Sequence, residues 1–117
     1  MRHNKKGFTL DRNASSRTAL LRSLAAGVIL YEKIQTTDAR AKAVRPMVER
    51  MVTRAKKPTL ANRRHLLSVV PQEMVVRKLL EVFGPRYKAR PGGYMRITKL
   101  SPRAGDAASM TQLEFVV

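Results

Sequence analysis

The stretch IQTTDARAKAVRPMVERMVTRAKK, residues 34–57, combines a short extended segment with the clearest helical pattern of the chain. Residues 34–37 are rich in β-branched side chains, which favours a strand. Thr37 can cap a following helix, with Asp38 in the first turn, where a carboxylate suits the helix dipole. From residue 38 to 57, apolar residues recur at helical spacing and form one stripe, at Ala41, Val44, Met47, Val48, Met51, Val52 and Ala55. The stretch therefore predicts a strand joined to a long helix with one buried face.

Pro46 lies inside this helical pattern. A proline in a helix interior costs about 3 kcal/mol, because it lacks an N–H group and its ring meets the preceding turn. Two structures remain open at this point. Either the helix bends at Pro46, or a separate turn covers residues 37–45 and the main helix begins near the proline.

A first helix is predicted over residues 14–31, before the strand. Asn13, Ser15 or Ser16 can supply the N-cap oxygen. Apolar residues on one side recur at helical spacing, at Leu20, Leu21, Leu24, Val28 and Tyr31. The other side is rich in Ser and Ala, so this helix either lets a partner approach its backbone closely or is buried on both sides.

Further helices are predicted at 60–70 and 72–83, separated by Pro71. Gly84-Pro85 should stop the last one, with Gly84 in the left-handed conformation. Residues 94–100 alternate as a strand, 101–106 form a connection, and a last strand places alternate residues on one face, at Thr111, Leu113, Phe115 and Val117. The predicted fold is a two-layer α+β domain over residues 1–117, ordered as helix, strand, three helices and a two-strand hairpin. Residues 1–12 are predicted to be a basic N-terminal arm.

The charge balance points to a polyanionic partner. The chain has 24 Lys+Arg against 8 Asp+Glu, a formal net charge of +16. A free domain of this size usually stays near a magnitude of ~2–8, because like charges on a compact surface repel each other. Nucleic acid is the common polyanion, and anionic membranes are its rival. A membrane span is not expected, since Arg22 and then Glu32-Lys33 interrupt the apolar stretch around residues 19–31.

The residue types needed for catalysis or metal binding do not gather in the sequence. The acids are scattered, the two histidines are His3 and His65, and there is no cysteine. We therefore expect no enzyme activity, no cofactor, no metal and no small-molecule substrate. Two alternatives stay open: a free DNA-binding protein using residues 60–83 as a helix-turn-helix, and an RNA-processing enzyme, which would need an acid/base pair.

Three basic segments, at 2–22, 36–42 and 86–103, form the predicted binding surface. Arg outnumbers Lys, and the planar guanidinium suits phosphate and base edges. Two tyrosines lie among the later charges and either stack on an unpaired base or belong to the core. The predicted RNA-binding residues are Arg2, His3, Lys5, Lys6, Arg12, Arg17, Arg22, Thr36, Thr37, Arg40, Lys42, Arg45, Arg63, Arg64, Arg86, Tyr87, Lys88, Arg90, Tyr94 and Arg96.

An ordered set of short motifs runs through nearly the whole chain. The motifs are Met1-Arg2-His3, Lys5, Gly7, Leu10-Asp11-Arg12, Arg17-Thr18-Ala19-Leu20, Ile34-Gln35-Thr36-Thr37, Arg40-Ala41-Lys42, Arg45-Pro46, Val76-Arg77-Lys78-Leu79, Pro85-Arg86-Tyr87 and Gly92-Gly93-Tyr94-x-Arg96. Taken in this order, they resemble the family of the bacterial large-subunit ribosomal protein numbered seventeen.

This resemblance implies a structural, non-catalytic protein with a small mixed three-stranded sheet covered by helices. It implies burial against large-subunit ribosomal RNA, on the outer side near the exit tunnel, where the protein would stabilise the folded RNA during assembly and translation. It also implies contacts with neighbouring large-subunit proteins, one copy per ribosome rather than a homo-oligomer, a cytoplasmic location and no membrane partner.

Overall fold

The computed structural model describes residues 8–10 and 12–116. In these residues four helices pack on one small sheet. The elements are α1 (Ala14–Tyr31), β1 (Lys33–Thr37), α2 (Asp38–Ala55), α3 (Leu60–Val69), α4 (residues 73–86), β2 (Met95–Lys99) and β3 (Met110–Phe115). The predicted α+β class and the predicted order of elements are confirmed.

Helix α2 is the centre of the core, and the stripe predicted for it is confirmed. Six of the seven stripe residues are buried, and only Met47 is half-buried. Pro46 lies inside one continuous helix, so the alternative in which the helix starts near Pro46 is wrong. Thr37 occupies the N-cap position, but its side chain makes no capping hydrogen bond. The backbone N–H of Asp38 instead donates to the carbonyl of Ser109 at 2.9 Å, which ties the start of α2 to the beginning of β3.

Helix α1 is buried only in its C-terminal half. Asn13 is the N-cap, and its side-chain oxygen accepts from the backbone N–H of Ser16 at 2.9 Å. The buried residues are Ala25, Ala26, Val28 and Ile29, whereas none of residues 14–23 is buried. Tyr31 was predicted to lie on the apolar side, but its side chain is 75% exposed, so the prediction is wrong for this residue. The N-terminal half of α1 is therefore mostly exposed, with Leu21 as its contact with the core, and we call residues 14–23 the projecting half of α1.

Helix α4 does not stop at Gly84, which corrects the prediction. Its first part, Glu73–Lys78, continues through a widened π-helical turn, Leu79–Phe83, into a last α-helical turn, Gly84–Arg86. The widened turn lies just before Pro85, where an ordinary helix would press the proline ring against the carbonyl four residues earlier.

Gly84 has right-handed helical angles, φ −54° and ψ −57°, rather than the predicted left-handed conformation. Its lack of a side chain serves packing instead. A Cβ atom at this position would lie 2.7 Å from the carbonyl oxygen of Ala55, at the end of α2. Gly84 thus allows the backbones of α2 and α4 to approach closely.

The three strands are ordered β1-β3-β2, and both pairings are antiparallel. The sheet is therefore not mixed, as the family resemblance implied. Ile34 and Ile97 pair with Leu113 from either side. Thr111, Leu113 and Phe115 of the central strand are buried, as predicted from their alternation, because this face packs on the helices.

Candidate nucleic-acid interface

Ion pairs within the protein engage most of the acidic groups in the described residues and leave most of the basic groups there without a carboxylate partner. Among the described acids, every one except Glu81 lies within 4 Å of a cation. The pairs are Asp38–Lys42, Glu49–Arg45, Glu73–Arg63, Glu73–Arg77, Glu32–Lys78, Glu32–Arg86, Glu114–Arg96 and Asp106–Arg103. Five predicted RNA-binding residues, Lys42, Arg45, Arg63, Arg86 and Arg96, are among these cations. Such exposed pairs are weak, so a phosphate can compete for the cation, but only after the carboxylate has been displaced.

Arg86 has a structural position that the sequence did not reveal. Its guanidinium donates to the Glu32 carboxylate at 2.5 Å and lies 4.9 Å above the ring of Phe83. The hydrogen bond from Arg86 is the main reason that the pKa of Glu32 lies below its ordinary value, and the same bond raises the pKa of Arg86. Lys78 adds a hydrogen bond to the carbonyl of Leu30 at 2.7 Å. Arg86 and Lys78 therefore fasten the end of α1 to α4.

The two predicted stacking residues, Tyr87 and Tyr94, lie in the core. They are 3% and 1% exposed, and their ring centroids are 5.1 Å apart. Tyr87 donates its hydroxyl hydrogen to the carbonyl of Val116, and the Tyr94 hydroxyl shares a hydrogen bond with Thr53 at 3.1 Å. A buried ring has no free face for a nucleobase, so the stacking prediction is corrected in favour of the core alternative.

Tyr94 is nevertheless held in a polar setting at the edge of the core. Burial by itself would raise the pKa of Tyr94, but its contacts with Lys56 and Thr53 outweigh that effect and bring the pKa below its ordinary value. The Lys56 ammonium lies 4.7 Å from the ring centroid and also donates to the carbonyl of Arg90. Lys56 thus binds α2 to the loop that leads into β2.

The entry to α2 is only partly available as a binding surface. Thr36 is buried, and its carbonyl accepts from the hydroxyl of Thr111 at 3.4 Å. Thr37 and Arg40 are half-buried, while Lys42 is exposed and paired with Asp38 at 3.0 Å. Direct contact through the Thr36 side chain is therefore not supported by this geometry, whereas Arg40 and Lys42 remain accessible.

Three predicted arginines lie on or beside the projecting half of α1. Arg12 and Arg22 are exposed and Arg17 is half-buried. Within residues 8–10 and 12–116, no carboxylate lies within ion-pair distance of these three side chains, and the sequence has no acid between Arg12 and Tyr31. We call Arg12, Arg17 and Arg22 the α1 arginines. They form the first cluster of uncompensated positive charge in the described part of the chain.

A second cluster surrounds a groove between α2 and α3, which we call the α2–α3 groove. Its volume is about 840 Å³. It is lined by Pro46, Met47, Glu49, Arg50, Met51, Thr53, Arg54, Lys57, Asn62, His65, Val69, Gly92 and Tyr94. The sequence did not single out Arg50, Arg54 and Lys57 as binding residues. Their spacing of four and three residues, which places side chains along one helix face, was the available signal.

The remaining predicted residues have mixed surroundings. Arg64 and Lys88 are exposed, and so is Arg90, although its guanidinium donates to the carbonyl of Gly93 at 3.2 Å. Arg96 and Glu114 are cross-strand partners 3.9 Å apart. Arg2, His3, Lys5 and Lys6 lie outside the described residues, and their roles stay predictions.

The described part of the chain offers no constellation for metal chemistry, since no group of three or more His, Cys, Asp or Glu side chains comes together there. None of its helices has the length and apolar character needed to cross a membrane.

Fold and surface together define a class of protein: a small, strongly basic α+β protein whose uncompensated cations gather on a projecting helix and around a groove. The sequence profile of the family described as Ribosomal protein L17 matches residues 20–116. The chain belongs to this family, whose members are structural ribosomal proteins and not enzymes.

Three relatives, each named as the large ribosomal subunit protein bL17, illustrate the similarity. The protein of Hydrogenobaculum sp. is 48% identical over 117 residues, covering 99% of both chains. That of Syntrophotalea carbinolica is 48% identical over 116 residues, covering 99% of this chain and 75% of its own. That of Dehalococcoides mccartyi is 45% identical over 116 residues, covering 99% of both.

Proposed function

We propose that this chain is a structural component of the large ribosomal subunit in the bacterial cytoplasm, where it binds ribosomal RNA and stabilises the folded RNA during assembly and translation. The observation that carries the proposal is the projecting half of α1. No residue of 14–23 is fully buried and only Leu21 among them packs against the core, while no carboxylate of the described residues lies within ion-pair distance of the α1 arginines. A helix of this kind gains little from its own domain and needs an external anionic surface.

The proposed interface consists first of the α1 arginines. It continues with Arg40 at the entry to α2, with Arg64 on α3, and with Lys88 and Arg90 in the loop before β2. These side chains are exposed or half-buried and can reach phosphate oxygens. A smaller part is played by the residues that a carboxylate already engages, which are Lys42, Arg45, Arg63, Arg86 and Arg96.

We propose the N-terminal arm as a further part of this interface. Arg2, His3, Lys5 and Lys6 place three formal charges and one imidazole in the first six residues. Short basic arms of this composition typically follow a phosphate backbone. The partners in the proposed complex are ribosomal RNA and adjacent large-subunit proteins, with one copy of the chain per ribosome.

Sedimentation of the tagged full chain in cell extract at physiological salt tests the proposal. We expect the chain to migrate with the large ribosomal subunit, at a ratio of one to one with a subunit protein of known stoichiometry. A chain that sediments free of ribosomes would contradict the proposal.

Competition between nucleic acids separates this function from that of a free DNA-binding protein. The purified chain should bind deproteinised large-subunit ribosomal RNA in preference to duplex DNA of equal phosphate content. Stronger binding to the duplex would favour the DNA-binding alternative.

A further inference from the structure

The α2–α3 groove has an apolar floor and an open mouth. The half-buried Met47 of α2 and Val69 of α3 contribute the apolar surface, and the buried Met51 lies behind them. The volume of about 840 Å³ lies within the range of ~300–1,000 Å³ typical of pockets that hold small organic groups. A planar aromatic ring fits such a floor, because thioether sulfur atoms make favourable contacts with aromatic rings.

The rim of the groove is cationic. Arg50 and Arg54 are exposed one turn apart on α2, and Lys57 follows the end of that helix. Among the described residues, Glu49 is the one acid that lines the groove, and it already forms an ion pair with Arg45 at 3.4 Å. The groove therefore joins an apolar floor to an uncompensated positive rim.

Hydrogen bonds hold the two walls of the groove at one end. Asn62 of α3 donates its side-chain amide hydrogen to the carbonyl of Lys57 at 2.8 Å and accepts from Arg54 at 3.4 Å. Thr59 caps α3 by accepting from the backbone N–H of Asn62 at 3.2 Å. The groove is thus formed before a ligand arrives, which reduces the entropy lost on binding.

We propose that the α2–α3 groove receives a single unpaired nucleotide of a structured RNA. The base lies over Met47 and Val69, with Met51 just beneath, and the flanking phosphates contact Arg50, Arg54 and Lys57. His65, exposed on α3 at the rim, offers a hydrogen bond to a base edge. The inference rests on the proposed RNA binding and adds to it a site that reads an extruded base, since the other proposed contacts reach only the backbone.

Charge complementarity selects this occupant. A nucleotide combines an aromatic ring with a negative charge, which matches the floor and the rim at the same time. The basic N-terminal arm of the chain would bring like charges to the rim, which disfavours it as the occupant. An acidic peptide would match the positive rim, but it has no aromatic ring to lie on the apolar floor.

Methionine methyl NMR of the full chain provides a direct test. The probes are hexauridylate, hexaadenylate, a six-unit abasic phosphodiester and hexaglutamate, each titrated at low salt. We expect both RNA oligomers to shift the methyl signals of Met47 and Met51, while that of Met74, which is 71% exposed on α4 and does not line the groove, serves as the internal control. The abasic oligomer should shift them much less, because it has phosphates but no bases.

The double variant Arg50→Gln, Arg54→Gln should weaken hexauridylate binding about tenfold, since it removes two charge-assisted contacts. The matched control Lys33→Gln, Arg77→Gln removes two exposed charges that belong neither to the groove nor to the proposed interface, and its affinity should stay within about twofold of the parent. Circular dichroism of all variants checks that they fold.

Three outcomes would overturn the groove as a nucleotide site. Equal shifts from the abasic oligomer would show a phosphate contact without base insertion, equal shifts from hexaglutamate would show a peptide site, and unchanged Met47 and Met51 signals would show no occupancy. In each case, retained binding to ribosomal RNA would leave the proposed function standing. If the parent chain did not bind ribosomal RNA at all, that result would instead refute the proposed function itself.

Discussion

Gly84 shows how one missing side chain fixes the distance between two helices. Its Cα faces the carbonyl oxygen of Ala55, so that a methyl group would come within 2.7 Å of a backbone atom. Backbone atoms cannot move aside as a flexible side chain can, and relief requires α4 to shift away from α2.

We therefore predict that Gly84→Ala lowers the free energy of unfolding by about 1–3 kcal/mol. Urea denaturation measures this change. The matched control is Gly27→Ala in α1, where an added methyl group meets nothing within 4 Å. That substitution should stabilise the chain by roughly 0.5–1 kcal/mol through helix propensity. Equal effects of the two substitutions would contradict the packing role of Gly84.

Glu32 makes the stability of the chain depend on pH. Its pKa is lowered from the ordinary value of 4.5, chiefly by the hydrogen bond from Arg86. A lowered pKa in the folded state adds stability above pH 4.5, and this contribution is lost as the pH falls through the folded-state value. The side chain is 43% exposed, so solvent screening keeps the effect below about 1 kcal/mol.

We predict that Glu32→Gln is less stable than the parent at neutral pH and that this difference shrinks as the pH is lowered below 4.5. Thermal unfolding over a pH series measures it. Glu81→Gln is the control, since Glu81 pairs with no cation among the described residues, and its difference from the parent should be small at every pH.

At the scale of elements, α1 divides into a packed half and a projecting half. Ala25, Ala26, Val28 and Ile29 fix the C-terminal half, and Arg86 and Lys78 hold its end. The N-terminal half is held by continuity with that anchored part, by the Asn13 cap and by the partly buried Leu21. The side chains of the projecting half can therefore change with little effect on the stability of the fold.

We predict that Arg17→Gln with Arg22→Gln leaves the melting temperature nearly unchanged but flattens the salt dependence of RNA binding. Each lost phosphate contact reduces the slope of log K against log salt by roughly 0.7–0.9, so the pair should reduce it by roughly 1.4–1.8. Filter binding to large-subunit ribosomal RNA at several salt concentrations measures the slope. The Lys33→Gln, Arg77→Gln chain is again the control, and an unaltered slope in the α1 variant would remove the α1 arginines from the interface.

The outcome for each element shows what a sequence can predict. The α2 stripe was predicted well because its period records one buried face. The bounds of α1 were also predicted, since Asn13 is a strong local capping signal. The stop at Gly84 was wrong, because the glycine is needed by contact with Ala55, 29 positions away in the chain, and not by a turn.

The candidate site was harder to predict than the fold. From the sequence, Arg86 was predicted to be available for RNA, because its ion-pair partner, Glu32, is 54 residues away along the chain. Tyr87 and Tyr94 lie among charges in the sequence, yet the fold turns both rings inward. The groove needs α3 beside α2, and no local pattern encodes that packing, so Arg50, Arg54 and Lys57 were not identified as a group.

For the whole molecule, a net charge of +16 makes the folded state repel itself in the absence of a polyanion. Ions or polymers that bind the folded chain should stabilise it by mass action, by about 2.7 kcal/mol at a hundredfold excess over the dissociation constant.

We predict that an inorganic polyphosphate raises the melting temperature of the purified chain and that sodium chloride at equal ionic strength raises it less. Salt only screens the repulsion, whereas the polymer also binds the uncompensated cations. Differential scanning calorimetry compares the two conditions. A larger effect of sodium chloride would show that screening, and not polyanion binding, controls stability.

The order of the sheet, β1-β3-β2, also constrains how the chain can acquire its structure during synthesis. The central strand leaves the peptidyl-transfer site after both strands that it joins, and the Thr111–Thr36 contact spans 75 positions. Until β3 emerges, β1 and β2 lack the strand with which each of them pairs. The native sheet can therefore form only after residues 110–115 have been synthesised, because β3 supplies both strand pairings.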